Sequence, residues 1–387
     1  MKALAAQALR QEAGALEEKL TDLYHRLHMH PELGFQEKET AEIIRAELTK
    51  LGLPFTAVQT GTIVDLPVNG RMENAVLLRA DIDALPITEA TGLPYASRNP
   101  GVMHACGHDS HAAMLLGEAQ LLQGRRDQLR RPVRLVFQPA EETLGGASFM
   151  IAQGVMQDVA EAYCMHVRSD PQVGLFYLAN GCINASCDNF DVIVRGKGCH
   201  GAYPEGGVDA AVIGAHVLLA LQELLSRETW AGDNAVLTIG RMQGGTARNI
   251  LCGEMTLEGT LRTMRPKVRQ RLCERIGQVA SGIAGALRGE AEVVLREKCA
   301  CVQNDAACLA YAEQTIRQLW EDDRVRRASG LSMGSEDFGE FTQRVPGAKV
   351  SITTGHTETI HTPQFRIDEG MLPWGAAFFA ALCLNKE

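Results

Sequence analysis

Nine residues, Met103–His111 (MHACGHDSH), hold three histidines, one cysteine and one aspartate. Imidazoles beside a soft thiolate are the donor set of a transition metal such as Zn, Mn, Co or Ni. Taken singly, each has a plainer use: Cys106 as a small buried side chain, the histidines as hydrogen-bonding groups, Asp109 as the N-cap of a following helix. Their density favours the metal. Downstream, FQPAEETLGGA closes an apolar run with adjacent Glu141 and Glu142. Two solvated acids would be ordinary, but at a strand end near metal-type donors one carboxylate can ligate a cation while the other takes a proton from water. His166 lies in a strand-like run (YCMHV), where a lone histidine is more often a satisfied core residue than a ligand. His361 in TIHTPQF, and more weakly His356 in TTGHTE, complete the candidates. A cysteine hydrolase with Cys106 as nucleophile and His108 as base is disfavoured. Two residues apart on a Gly-containing turn they align poorly, and the glutamate pair is left without work.

These groups need a scaffold. Apolar residues at helical spacing predict helices over 15–28 (Leu16, Leu20, Leu23, Leu27) and 39–51 (Ala41, Ile44, Leu48, Leu51). Short apolar runs at 75–78, 133–137 and 162–167 predict strands, with a helix at 112–122 among them. That alternation is the mark of an α/β sheet covered by helices. From about residue 185 the texture changes to strands near 190–194, 235–239, 255–261 and 292–298, with long helices at 208–226 and 268–287. An α+β domain inserted into an α/β domain is expected, with 1–184 and 298–387 forming the discontinuous part and 185–297 the insertion.

The chain's 387 residues are two to three times the usual domain length. With 45% hydrophobic and 22% charged residues, disordered, collagen-like and coiled-coil readings fall away. Asp and Glu number 47 against 38 Lys and Arg, a formal net charge of −9, which argues against nucleic acid as a partner. Eleven cysteines, odd in number and irregular in spacing, do not form a disulfide framework, so a reducing cytoplasm is expected. The first twenty residues acquire Arg10, Glu12, Glu17 and Glu18 before any long apolar stretch and read as a helix, not a signal peptide. The apolar stretch 371–384 contains Pro373 and falls short of the roughly 20 residues a bilayer requires, so a buried helix and no membrane partner are expected.

Ten blocks run in order along nearly the whole chain: LHMHPELGFQE (27–37), LLRADIDALPI (77–87), MHACGHDSH, FQPAEE (137–142), MHV (165–167), GKGCHGAYP (196–204), GGTARNI (244–250), GTLR (259–262), MGSEDF (333–338) and HTPQFRIDE (361–369). As a set they resemble the metal-dependent aminoacylase and carboxypeptidase family. The branch is that of hippurate hydrolases, N-acyl-amino-acid amidohydrolases and plant auxin-conjugate hydrolases. The resemblance implies a catalytic domain with a helix-covered mixed sheet, plus an inserted ferredoxin-like α+β domain that serves as lid and dimerisation surface in a homodimer or higher oligomer. It implies two divalent metal ions per subunit, with the thiolate of Cys106 standing where many relatives use a bridging Asp. Glu142 and His361 would complete one metal and His108 and His166 the other, with Glu141 as general base.

His200 would stabilise the oxyanion from the partner subunit. Asn249 and Arg262 match positions that in relatives meet the substrate's amide or carboxylate, although an ion pair is an equally ordinary use of Arg262. Related aminopeptidases place a histidine ligand in the region of Asp81 and Asp83; this sequence has none there, so both are given a supporting role. His104 and His111 are read likewise, and His28 and His30 as packing and capping residues ahead of Pro31. Glu336 and Asp337 are expected to border the site. The activity implied is hydrolysis of the amide bond of N-acyl amino acids. Alternatives are a metallo-carboxypeptidase or dipeptidase acting on short peptides, and a non-catalytic relative that binds acyl-amino acids.

Overall fold

The computed structural model describes residues 3–320, 324–328 and 332–385; of the expected N-terminal helix, Met1 and Lys2 lie outside these. The chain opens with α1 (Ala3–Gly14), α2 (Glu17–His28), α3 (Lys38–Lys50), β1 (Thr56–Val58), β2 (Gly61–Leu66), β3 (Ala75–Asp81), α4 (His108–Gln123), β4 (Val133–Gln138), α5 (Gly146–Ala152), β5 (Val159–Arg168) and β6 (Val173–Leu178). It continues with β7 (Gly181–Asn184), β8 (Ser186–Arg195), α6 (Ala210–Ser226), β9 (Ala235–Gly244), β10 (Glu254–Thr263), α7 (Pro266–Ala286) and β11 (Glu290–Cys299). It closes with β12 (Val302–Asn304), α8 (Ala306–Leu319), β13 (Val325–Arg327), α9 (Gly339–Thr342), β14 (Gly347–Thr354) and α10 (Leu372–Leu384). Two compact units result: Met1–Gly181, Gln303–Gly330 and Glu340–Glu387 make the first, Cys182–Val302 and Leu331–Gly339 the second.

The first unit is built on an eight-stranded mixed sheet in the order β1-β2-β4-β3-β5-β14-β6-β13. Every residue of β3 (AVLLRAD) is buried, as expected of a central strand covered on both faces. The strands β4, β3, β5 and β14 are mutually parallel, so their carboxyl ends share one edge. In an open α/β sheet that edge is where ligands bind, and the chain places Asp83, Glu141 with Glu142, and His361 just beyond three of those strands and His166 near the end of the fourth. Behind the sheet α4 packs against α10, both nearly all buried. Their approach needs Gly117, where a Cβ would fall 2.8 Å from that of Ala376. Among the described residues no helix is long and apolar enough to cross a membrane.

The second unit is a four-stranded antiparallel sheet, β11-β8-β10-β9, with α6 and α7 packed on it around Phe190, Val192, Leu257, Leu221 and Leu272. Numbered within the β-α-β-β-α-β run the strand order is 4-1-3-2, the ferredoxin-like arrangement.

One core residue breaks the apolar pattern. Glu118 of α4 is fully buried; its Oε1 accepts only a long contact from the Cys383 thiol (3.7 Å), and Oε2 has no partner. Burial holds its carboxyl well above the ordinary value of 4.5, so the folded chain keeps a proton that the unfolded chain releases above about that pH. The stability this group contributes is therefore complete below pH 4.5 and declines as pH rises towards the folded value. Glu118→Met is expected to melt a few degrees above the wild type at pH 8, with the gap closing towards pH 4. Thermal unfolding at the two pH values checks the sign.

Candidate metal centre

Cys106 and His108 are aimed by a turn that only glycine can make. Gly107, at φ 82°, is the residue before α4, and a Cβ there would meet Val167 Cγ2 at 2.6 Å. Asp109, expected to cap the helix, is instead its second residue. It is buried and accepts a hydrogen bond from His28 Nδ1 at 2.6 Å, which ties the end of α2 to the start of α4. Burial opposes charge on His28, but Asp109 and Glu89 outweigh it and raise the imidazole to about 9. His30 instead pairs with Glu39 at 2.9 Å.

Five donors converge. Cys106 Sγ lies 3.5 Å from His166 Nε2 and 3.3 Å from His361 Nε2, and His361 Nε2 lies 3.5 Å from Glu142 Oε1. Ligand atoms of Cys106, His108 and His166 all fall within 4.8 Å of one another, and so do those of Cys106, Glu142 and His361. Cys106 is the shared corner. The other ring nitrogens are already committed: His108 Nδ1 donates to Asp83 Oδ1 (3.2 Å) and His166 Nδ1 to the Val167 carbonyl (2.7 Å), leaving each Nε2 a lone pair directed inward. His108 Nε2 and Glu142 Oε1 are buried without a hydrogen-bond partner. Acceptors facing acceptors in a buried space are the arrangement a cation resolves, and imidazole, thiolate and carboxylate fit a divalent transition metal. His361 reaches the cluster from a left-handed backbone (φ 62°), fixed by its N–H to the Ala105 carbonyl (2.7 Å).

Burial and neighbouring charges act on each donor in turn. Burial raises the Cys106 thiol. Burial also opposes the charged forms of His108 and Glu142, yet Asp81 holds His108 well above its usual value, and His361 and His108 pull Glu142 down. Asp83 links both halves of the cluster, accepting from His108 on one oxygen and from the Glu142 backbone N–H (3.0 Å) on the other. Asp81 is held by Arg79 and by His111 Nδ1, and burial of its charge is outweighed first by Arg79. His111 Nε2 accepts from the Val167 N–H (3.0 Å), so both its nitrogens are engaged within the protein. Burial depresses His104 to about 4; its neutral ring has no hydrogen-bond partner and belongs to neither cluster. His356, the weaker candidate, stands 3.9 Å from Glu358 and joins no cluster among the described residues.

Glu141 is buried, with a ligand oxygen within 4.8 Å of those of His108 and Glu142. The loop that aims it turns through Ala140 at φ 56°, whose N–H donates to Glu37 (2.9 Å); Thr60 in turn donates to Glu37 (2.7 Å). Sequence reasoning missed Glu37. It lies in one of the ten blocks, but 103 residues before Ala140.

The remaining candidates belong to the second unit. His200 is exposed, and its Nδ1 accepts from the Ala202 N–H at 3.1 Å. Asn249 is exposed on the facing segment and its carbonyl accepts from Gly201. Arg262 donates to the Met333 carbonyl (3.0 Å) and the Ser335 hydroxyl (2.8 Å), bracing the MGSEDF segment. In that segment Glu336 and Asp337 are buried.

Comparison with known proteins gives this geometry a lineage. The chain is 37% identical to an N-acetylcysteine deacetylase of Bacillus subtilis (strain 168), over 96% of this chain and 97% of that one. It is 34% identical to the IAA-amino acid hydrolase ILR1-like 2 of Arabidopsis thaliana, over 95% and 84%. The crystal structure of the YXEP protein of Bacillus subtilis, described as a dinuclear metal binding peptidase from M20 family, superposes with a TM-score of 0.80 at 35% identity, covering 96% of this chain and 98% of that one. The family model for peptidase family M20/M25/M40 matches residues 77–385, and with relatives aligned along nearly its full length the chain belongs to that family.

Proposed function

We propose that the chain is a metal-dependent amidohydrolase that cleaves the amide bond of N-acyl amino acids in the cytoplasm. The observation that carries the reading is the pair of donor triads sharing Cys106 beside Glu141. Cys106, Glu142 and His361 would hold one divalent cation and Cys106, His108 and His166 the other, Mn, Zn, Co or Ni by the donor chemistry. When bound, two such ions polarise the substrate carbonyl and make an attacking water acidic near neutral pH. Glu141 takes a proton from that water as its oxygen bonds to the amide carbon, then delivers the proton to the nitrogen as the C–N bond breaks.

The second unit supplies recognition. His200, acting on the site of the other subunit of a homodimer, donates a hydrogen bond to the oxyanion. Asn249 and Arg262 position the amide and the free carboxylate of the amino-acid product. The deacetylase and auxin-conjugate hydrolase relatives support an N-acyl substrate; the relative described as a peptidase favours short peptides as the second reading. A chelated protein assayed on N-acetyl and N-benzoyl amino acids and on dipeptides, then resupplied with each metal, tests both. Activity is expected to vanish with the metal, return with at least one ion and be highest on N-acyl amino acids. Persistence of turnover in metal-free protein would overturn the mechanism, and exclusive turnover of dipeptides the substrate class.

A further inference from the structure

Two buried carboxylates hold the backbone on either side of Glu141. Asp83 accepts from the Glu142 N–H (3.0 Å) after it, and Glu37 from the Ala140 N–H (2.9 Å) before it. Asp83 also grips His108, so its removal would disturb the ligands directly. Glu37 reaches the loop through backbone alone. It stands one residue before α3, with Oε1 on the Ala140 N–H and Oε2 accepting from the Thr60 hydroxyl (2.7 Å) in the turn between β1 and β2. Two close approaches bring these segments together: a Cβ on Gly34 would fall 3.1 Å from Ala140 Cα, and one on Gly61 3.0 Å from Pro139 Cδ. The stretch before α3 and the β1–β2 turn thus close on the two residues that precede Glu141.

The backbone they close on needs holding. Ala140, at φ 56°, lies in the left-handed region, which a residue with a Cβ keeps only where its surroundings impose it. Its carbonyl accepts from the Gly146 N–H (3.1 Å) and the Thr143 hydroxyl (3.2 Å), both contacts internal to the loop. Glu37 anchors the same residue from outside it. We propose that Glu37 is a positioning residue for the hydrolysis: by fixing the Ala140 N–H it sets where the Glu141 carboxylate stands. The proposal rests on the reading of Glu141 as general base. Glutamine at this place keeps an oxygen for the Ala140 N–H and turns its amide N–H to the Thr60 oxygen, so both links survive without the charge. Methionine keeps the bulk but removes both acceptors, leaving a buried N–H unpaired.

The test is steady-state hydrolysis of N-acetyl amino acids by metal-loaded wild type, Glu37→Met and Glu37→Gln, with bound metal and peptide-level hydrogen–deuterium exchange measured on the same samples. In Glu37→Met, kcat is expected to fall by roughly 10²-fold, the cost of displacing a catalytic group by about an ångström, with KM and metal content near wild type. Exchange should rise in the peptide spanning 139–143 and stay unchanged elsewhere. Glu37→Gln should recover most of the kcat and of the protection. If Glu37→Met does not fold, Thr60→Val decides: it frees Oε2 alone and should lower kcat by a smaller factor, and an unchanged kcat there would overturn the proposal. So would wild-type kcat in Glu37→Met, a Glu37→Gln as impaired as Glu37→Met, or a lowered kcat with no change in exchange at 139–143. A wild type that hydrolyses no N-acyl amino acid with any metal would sink the reading of function. Exchange at 139–143 then judges Glu37 separately, and equal exchange in wild type and Glu37→Met would overturn its grip on Ala140 as well.

Discussion

Glu141→Gln is expected to bind as much metal as the wild type while its kcat falls by roughly 10²–10⁴-fold, the range typical of a lost general base. The shape of the site should survive, because the loop is held by Glu37 through the Ala140 N–H and by the turn from Leu144 N–H to the Glu141 carbonyl, neither of which involves the side chain at 141. Glutamine keeps the volume and loses the basic oxygen. Metal analysis after dialysis alongside single-turnover hydrolysis separates the two effects. Loss of metal together with activity would make Glu141 a ligand instead. The same variant probes His200. In a dimer where His200 acts on the other subunit's site, mixing Glu141→Gln with His200→Ala chains leaves one intact site in each hybrid. A one-to-one mixture should recover about a quarter of wild-type activity, since half the dimers are hybrids with one of two sites intact. Absence of recovery in a confirmed hybrid would sink the claim that His200 works across subunits.

Much of the centre was legible because its densest part is local. Cys106 and His108 sit two residues apart and Glu141 beside Glu142, so spacing alone points to metal and acid–base chemistry. The place of His166 in the cluster was not legible from its own segment. What distinguishes it from a core histidine is the Val167 carbonyl on Nδ1, which turns Nε2 towards Cys106. Asp83 was recognised only as supporting, and its double grip on His108 and the Glu142 N–H depends on a contact 59 residues long. Glu37 and the His28–Asp109 pair were hidden for the same reason. In the fold, buried β3 showed as an apolar run, whereas β14 (GAKVSITT) did not. Its Lys349, Thr353 and Thr354 are buried in a central strand, where the Asn304 side-chain oxygen Oδ1 accepts from the Lys349 N–H (2.8 Å) and Thr353 Oγ1 from the Leu175 N–H (2.7 Å). Polarity satisfied across the sheet looks like a loop when read along the chain.

Cys106→Ala is expected to be the most damaging substitution in the ligand set, because this sulfur alone belongs to both triads. Removing His166 or His361 takes one donor from one cation; removing Cys106 takes one from each and leaves His108 with His166, and Glu142 with His361, as two-donor remnants. Two protein donors hold a divalent ion poorly, so metal content should fall below one equivalent under conditions that saturate the wild type, with kcat reduced by at least as much as in Glu141→Gln. Cys106→Asp is the informative companion. A carboxylate has two oxygens and can face two cations at once, so it should restore two equivalents. The exchange of a soft sulfur for hard oxygens should move the preference from Zn towards Mn. Equilibrium dialysis against each metal, read as bound ions per subunit, gives the answer apart from catalysis. Two tightly held equivalents in Cys106→Ala would show that the sulfur does not bridge. Recovery in Cys106→Asp with an unchanged metal preference would show that it fills space between the ions without setting which of them binds.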